Sequence, residues 1–324
     1  MIKSAETGRS YIQERGGLVE QLKRWSALIM LAVILLINSI FTQNFFSISV
    51  IWTIITQCCT IILTGMGMTM VISTGGIDIS VGSVLAAAAV FNAIFLPLGI
   101  VPAMLISLVL CALIGLVNGF MIGKLNVSPM VVTLAMLILA RGVAQVVNDG
   151  KIIYLTQYTD FLAIGQGKLF GVVPTQILPI VLVAGAIFFI MEKTAWGRRI
   201  QAVGDNPRAA RLSGLNSVMT IISVYVVSAV LSGIAGIMLS SKVGAADGNT
   251  LGKLAELDAI AAVAVGGTSM SGGRAKVMGT LVGAIIMQLI TISIVMNNIT
   301  YEYAQVLKAA IIIFAVYIQR ETRA

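Results

Sequence analysis

The run VIWTIITQCCTIILTGMGMTMVISTGGIDISVGSVLAAAAVFNAIFL, residues 50–96, decides the fold. Its two flanks are apolar enough to be buried in a bilayer, whose core takes about 20 apolar residues to cross as a helix. Between them lies GGIDISVGS, residues 75–83, with three glycines, two serines and one carboxylate, Asp78. Such a break is either a helix boundary or non-helical backbone at membrane depth. The latter is tolerated only where protein or a cavity covers the freed N–H and C=O groups.

The remainder of the chain agrees with a membrane setting. Of 324 residues 58% are hydrophobic and 10% charged, against roughly 25% charged in soluble domains. The fold class expected is an all-α polytopic membrane protein with about ten transmembrane helices, some of them short or broken. The segments lie near 26–42, 50–72, 77–97, 99–123, 128–147, 175–191, 217–241, 256–267, 277–296 and 303–319. The polar residues 1–25 read as an N-terminal tail, 26–320 as a single transmembrane domain, and 321–324 as a C-terminal tail.

Orientation follows from lysine and arginine, which concentrate on the cytoplasmic side of membrane proteins. Placing the N-terminus inside puts fifteen of the 21 on inner segments and four on outer ones, with Arg141 and Lys308 inside spans. Both termini are therefore expected in the cytoplasm. The net charge of +8 sits between apolar runs and not in an aromatic-interleaved patch, so nucleic acid is not an expected partner; membrane lipid is.

Composition also removes chemistries. Histidine is absent, which excludes imidazole metal sites and Ser-His catalysis, and no metal site is expected. Cys58, Cys59 and Cys111 all fall within apolar runs and read as small apolar fillers. No Gly-Lys pair is followed by serine or threonine, so the chain has no phosphate loop of its own. Gly65 and Gly67, and Gly115 and Gly119, read as close helix–helix contacts, the usual role of small residues in lipid.

Three polar stretches remain. In the first, Asp78 reads as a cap at the start of the third helix, stabilised by free backbone N–H groups; beside a broken helix it also borders a possible path. Asp78→Asn is expected to harm transport or assembly more than loss of an exposed cap. The second, GGTSMSGG at 266–273, repeats the spacing of Gly75, Gly76, Ser80 and Gly82 in Gly266, Gly267, Ser271 and Gly273. The two do not fall at equivalent loops of inverted halves, and the similarity reads as coincidence. Glu256 and Asp258 read as caps at the external start of a short helix. The third, GRRIQAVGDNPRAARLSGLN at 197–216, holds a turn and a helix with Asn206 as N-cap and Pro207 at its first position, within a cytoplasmic loop spanning about 192–216.

Four motifs in order, GMGMTMVISTGGIDISVGSVLA (65–86), LARGVAQVVNDGKII (139–153), GRRIQAVGDNPRAARLSGLN (197–216) and ELDAIAAVAVGGTSMSGG (256–273), resemble the membrane permease subunits of bacterial ATP-binding cassette importers for ribose, xylose, arabinose, galactose and related sugars. The resemblance implies a multi-pass protein of the bacterial inner membrane that is not itself an enzyme and binds no cofactor. It implies a cytoplasmic ATPase subunit carrying ATP and Mg, a second permease subunit, identical or related, and a periplasmic or lipid-tethered sugar-binding protein. It assigns coupling to the ATPase to Gly204, Asp205, Asn206, Pro207, Arg208, Ala209, Ala210, Arg211 and Gly214, with Arg208 where importer permeases commonly carry glutamate. A neutral, hydroxyl-rich cargo suits dispersed polar groups, for which Asp78, Ser80, Gln57, Asn92 and Asn118 are the candidates. Branched-chain amino-acid permeases and ion-coupled secondary transporters are the alternatives; the latter would need coupling carboxylates at mid-membrane, where the sequence offers only Asp78.

Overall fold

The computed structural model describes residues 27–319; the expected tails 1–25 and 321–324 lie outside the described residues. The chain runs α1 (Ala27–Phe41), α2 (Ile48–Ser73), α3 (Val81–Phe95), α4 (Ile100–Gly123), α5 (Pro129–Val146), α6 (Thr159–Gln166), α7 (Ile177–Lys193), α8 (Ala195–Asp205), α9 (Pro207–Leu212), α10 (Ser217–Val243), α11 (Ala255–Val265), α12 (Val277–Met296) and α13 (Tyr301–Gln319). A helix occupies each of the ten segments read from hydropathy. Six are long and apolar enough to cross a membrane, or seven if α7 and α8, bent by 70° where they meet, form one span.

Four two-residue strands lie in the connections: β1 (Ile153–Tyr154), β2 (Lys168–Leu169), β3 (Val173–Pro174) and β4 (Ala245–Ala246). β1 pairs antiparallel with β4, Ile153 opposite Ala246, and β2 with β3. Together with α6, whose Phe161 carbonyl accepts a 2.6 Å bond from Ser241 Oγ at the end of α10, they close the end of the bundle opposite α8 and α9.

The interior is built around α2, α3 and α10. Val81 to Ala93 of α3 are all buried, which is what an all-round apolar helix requires, and the run Ala86–Ala89 lets neighbours approach it closely. α10 packs against α2, α3 and α4 at once. Added Cβ atoms show how tightly: on Gly67 it would lie 2.9 Å from Ser228 Cα, on Gly115 2.5 Å from the Tyr225 carbonyl oxygen, and on Gly119 2.6 Å from Ile222 Cα. The main apolar cluster includes Met66, Met70, Tyr225, Ile286 and Met287. α13 is tied to α11 by an ion pair, Lys308 Nζ to Asp258 Oδ1 at 2.7 Å. The outward sides of α4 and α5 expose Leu105, Val109, Leu113, Leu134, Ile138 and Val146, an apolar surface suited to lipid or to another membrane subunit. The three cysteines are buried and free.

Candidate functional site

The third helix starts at Val81, later than hydropathy places it. Gly75 turns the chain at φ +84°, and residues 74–80 then climb inward without helix. Asp78 lies within this climb, 1% exposed. It is not the helix N-cap; that position is Ser80, which makes no side-chain cap bond. Asp78 Oδ1 instead accepts from Ser80 N (3.0 Å) and Ser80 Oγ (2.5 Å), closing the turn before the helix. Its Oδ2 accepts from Ser228 Oγ of α10 at 3.2 Å. Asn118 of α4 donates to Ser80 Oγ at 3.1 Å, and Thr133 of α5 donates to the Ile77 carbonyl at 3.3 Å. Side chains from three helices thus replace the ladder that residues 74–80 lack. Gly76 is held to a hydrogen side chain because a Cβ there would stand 2.5 Å from the Tyr225 hydroxyl.

Further along, the broken helix meets a second irregular stretch. A Cβ on Gly82 would lie 2.5 Å from the Gly252 carbonyl and would overlap the Glu256 carboxylate. Arg141 of α5 spans this crossing: Nη1 donates to the carbonyls of Gly248 (3.0 Å) and Leu251 (3.1 Å), Nη2 to that of Gly82 (3.5 Å), and Nε to Ser83 Oγ (3.3 Å). One guanidinium therefore ties the first turn of α3 to the non-helical stretch at 248–251. α11, which starts just after this stretch, has only 11 residues and rises ~16 Å, about half of the roughly 30 Å core. Beside the crossing lies a cavity of about 480 Å³ lined by Ser83, Leu137, Arg141, Lys253, Leu254, Glu256 and Gln305.

At the end of the bundle away from α6, the loop 192–216 is not loose. Thr194 Oγ1 caps α8 at Gly197 N (3.3 Å), Ile200 and Val203 are buried, and Trp196 Nε1 donates to Ser223 Oγ of α10 at 3.1 Å. Asn206 Oδ1 accepts from Arg208 N (3.1 Å) and Ala209 N (3.0 Å), the cap expected for α9. Gly204 meets bare backbone: a Cβ would overlap the Ser73 carbonyl at the end of α2 and lie 2.8 Å from Gly273 N. Gly273 N donates to that same Ser73 carbonyl at 3.0 Å, and a Cβ on Gly272 would stand 2.8 Å from Gly204 O and 3.1 Å from Gly75 N. The three glycine-marked stretches of the sequence meet at this one point. Asp205 reaches Gly273; Pro207, Arg208, Ala209, Arg211 and Gly214 are exposed on or beside α9, and Ala210 is buried.

The structure gathers Asp78, Ser80 and Asn118, and leaves two candidates elsewhere. Gln57 accepts from Gln288 Nε2 of α12 and lines a smaller cavity of about 190 Å³ with Thr53 and Thr291. Asn92 is fully buried near the other end of α3, its side-chain amide without a hydrogen-bond partner. Gly266 packs against the backbone of Gly279 in the first turn of α12, and Gly267 takes φ +83°. Reading the sequence missed Ser228, Arg141 and Glu256. Glu256 and Asp258 do occupy the first turn of α11, but Asp258 is bound to Lys308 and Glu256 lies against Gly82.

The chain matches, over residues 50–316, the family described as the branched-chain amino acid transport system / permease component. It is 37% identical to a ribose import permease protein of Haemophilus influenzae over 92% of both chains. It is 34% identical to a galactofuranose transporter permease protein of Escherichia coli over 91% of this chain and 89% of that one. With a galactose/methyl galactoside import permease protein of Escherichia coli the identity is 32%, over 91% and 93%. No solved structure matches. A glycine lock at the base of a short capped helix, a broken helix above it and these likenesses along nearly the whole sequence have one reading: the chain is a member of this permease family of multi-pass membrane proteins.

Proposed function

We propose that this chain is the permease subunit of an ATP-binding cassette importer that carries a monosaccharide into the cytoplasm. The observation that carries the reading is the likeness, 32–37% identity along nearly the whole chain, to three permeases named for ribose, galactofuranose and galactose import. The family description also covers branched-chain amino acids; the sugar names favour the monosaccharide side, and within it leave pentose and hexose equal.

In this reading the chain crosses the bacterial inner membrane ten times with both termini in the cytoplasm, as the lysine and arginine asymmetry supports. Residues 26–320 act as one membrane domain. Energy comes from a separate ATPase subunit that holds ATP and Mg, docking on α9 and the residues Gly204 to Gly214. A second permease subunit completes the pathway, and an external binding protein delivers the sugar. The chain itself binds no cofactor. A capped helix locked by backbone contacts to the end of α2 passes a push on without slack, whereas a flexible loop would absorb it. Asp78, Ser80 and Asn118 brace the broken helix beside the path.

The test is purification of the tagged protein from gently solubilised native membranes, with partners identified by mass spectrometry. An ATPase with two phosphate-loop motifs should co-purify, and the complex should take up labelled monosaccharide in an ATP-dependent way. A protein that purifies alone and moves solute on an ion gradient overturns the reading.

A further inference from the structure

The cavity beside the crossing of α3 and the 247–254 stretch has a mostly apolar surface but brings three charged side chains, a hydroxyl and an amide to one place. At about 480 Å³ it falls in the range of small-molecule sites, ~300–1,000 Å³. Its polar groups converge from four places: Ser83 of α3, Arg141 of α5, Lys253 and Glu256 around the start of α11, and Gln305 of α13. Charged side chains within a membrane domain are costly unless paired. Among the described residues the close ion pairs are Lys151–Asp149 and Lys308–Asp258; neither Glu256 nor Lys253 is in one, and the Arg141 charge acts on Glu256 only from beyond contact distance. Arg141 is different, because its donors are committed to the carbonyls of Gly82, Gly248 and Leu251. It forms a fixed wall. The groups left to act on cavity contents are the Glu256 carboxylate, the Lys253 ammonium and the Gln305 amide, opposite the apolar sides of Leu137 and Leu254.

That mixture matches one chemistry well. A carboxylate accepts hydrogen bonds from two neighbouring hydroxyls at once, an ammonium donates to ring and hydroxyl oxygens, and aliphatic side chains cover the C–H face of a pyranose or furanose ring. The geometry points to a monosaccharide subsite inside the permease, in which Glu256 and Lys253 grip hydroxyls of the sugar in transit and so contribute to which sugars pass. This rests on the monosaccharide-import reading. It places part of the selectivity in the membrane subunit and not solely in the binding protein. The grip is weak by construction: both groups face an open cavity, so the sugar exchanges them for water at little net gain and can leave.

The test uses the complete importer, with its ATPase and binding protein, in proteoliposomes. Uptake of labelled ribose, galactose and leucine is measured for the wild type, Glu256→Gln and Lys253→Gln, together with ATP hydrolysis stimulated by the loaded binding protein. Glu256→Gln keeps the shape but replaces charge-assisted bonds by neutral ones, a change on the order of tenfold for a two-hydroxyl contact. We expect sugar uptake to fall by about that factor and the ribose-to-galactose ratio to shift, with ATP hydrolysis and complex assembly retained. Lys253→Gln, at an exposed position, should shift the ratio in the same assay without disturbing assembly. Unchanged uptake and ratio in both variants overturns the subsite, as does a uniform fall matched by ATP hydrolysis, which marks a structural role. Failure of the underlying reading looks different: the wild type itself then moves no monosaccharide, or moves leucine.

Discussion

Asp78 illustrates how a single buried carboxylate is used when no ligand touches it. Two of its three donors come from Ser80 in its own turn and one from Ser228, 150 residues away. Replacement by alanine strands the Ser80 N–H and the two hydroxyls in the interior, at roughly 1–3 kcal/mol for each unsatisfied group. Asp78→Ala should therefore lower the thermal denaturation midpoint of the purified protein and abolish uptake. The geometry softens the expectation for asparagine. Asn at 78 keeps an oxygen for both Ser80 bonds and can turn its NH2 toward the Ser228 hydroxyl, so it should assemble within about 1 kcal/mol of the wild type. A variant that melts as early as the alanine one would make the charge itself the requirement. Sequence made Asp78 conspicuous, because a carboxylate between apolar runs stands out in one dimension. It could not reveal Ser228, one serine among many on an apolar helix, whose partner is fixed only when α10 packs on α2 and α3.

Among the elements, local signals were the readable ones. Asn206 before Pro207 announces α9 because a cap and a fixed φ act on adjacent residues, and the helical segments follow from runs of hydropathy. The lock at Gly204 was not readable, since it depends on the Ser73 carbonyl and the Gly273 amide arriving from two other stretches. It yields a sharp expectation. Gly204→Ala forces a methyl group onto backbone that has no side chain to move aside, a strain of about 1–3 kcal/mol. ATP hydrolysis should continue while uptake falls by roughly tenfold, the sign of a slipping transmission. Gly185→Ala, where an added Cβ meets nothing within 4 Å, should leave both rates unchanged. Parallel loss of hydrolysis and uptake in Gly204→Ala would mean instead that the ATPase no longer docks.

For the whole molecule, the arrangement of charge is the testable property. In a background with Cys58, Cys59 and Cys111 replaced, single cysteines at Lys168 and Arg208, both exposed, should react oppositely with a membrane-impermeant maleimide. Intact spheroplasts should label position 168 and spare 208; the reverse pattern would invert the topology. The lysine and arginine asymmetry of the sequence sets this expectation, and it places the start of α11 at the outer surface. The stretch before α11 meets the first turn of α3 at a crossing held by Arg141, a contact that no hydropathy window reports.

The meeting of Ser73, Gly204 and Gly273 also bears on how such permeases can be recombined. Contacts made by main chain alone leave no side chain through which a mismatch could be relieved. A chimera that imports residues 192–216 from a relative should work only when 73–76 and 271–274 come from the same donor, since the three pieces interlock like one part cut from separate lengths of chain. Among the walls of the cavity, Leu137, Lys253 and Gln305 carry no such restriction and can be exchanged residue by residue, whereas Arg141 and Glu256 are seated against backbone. New cargo is therefore an easier graft for this architecture than a new motor.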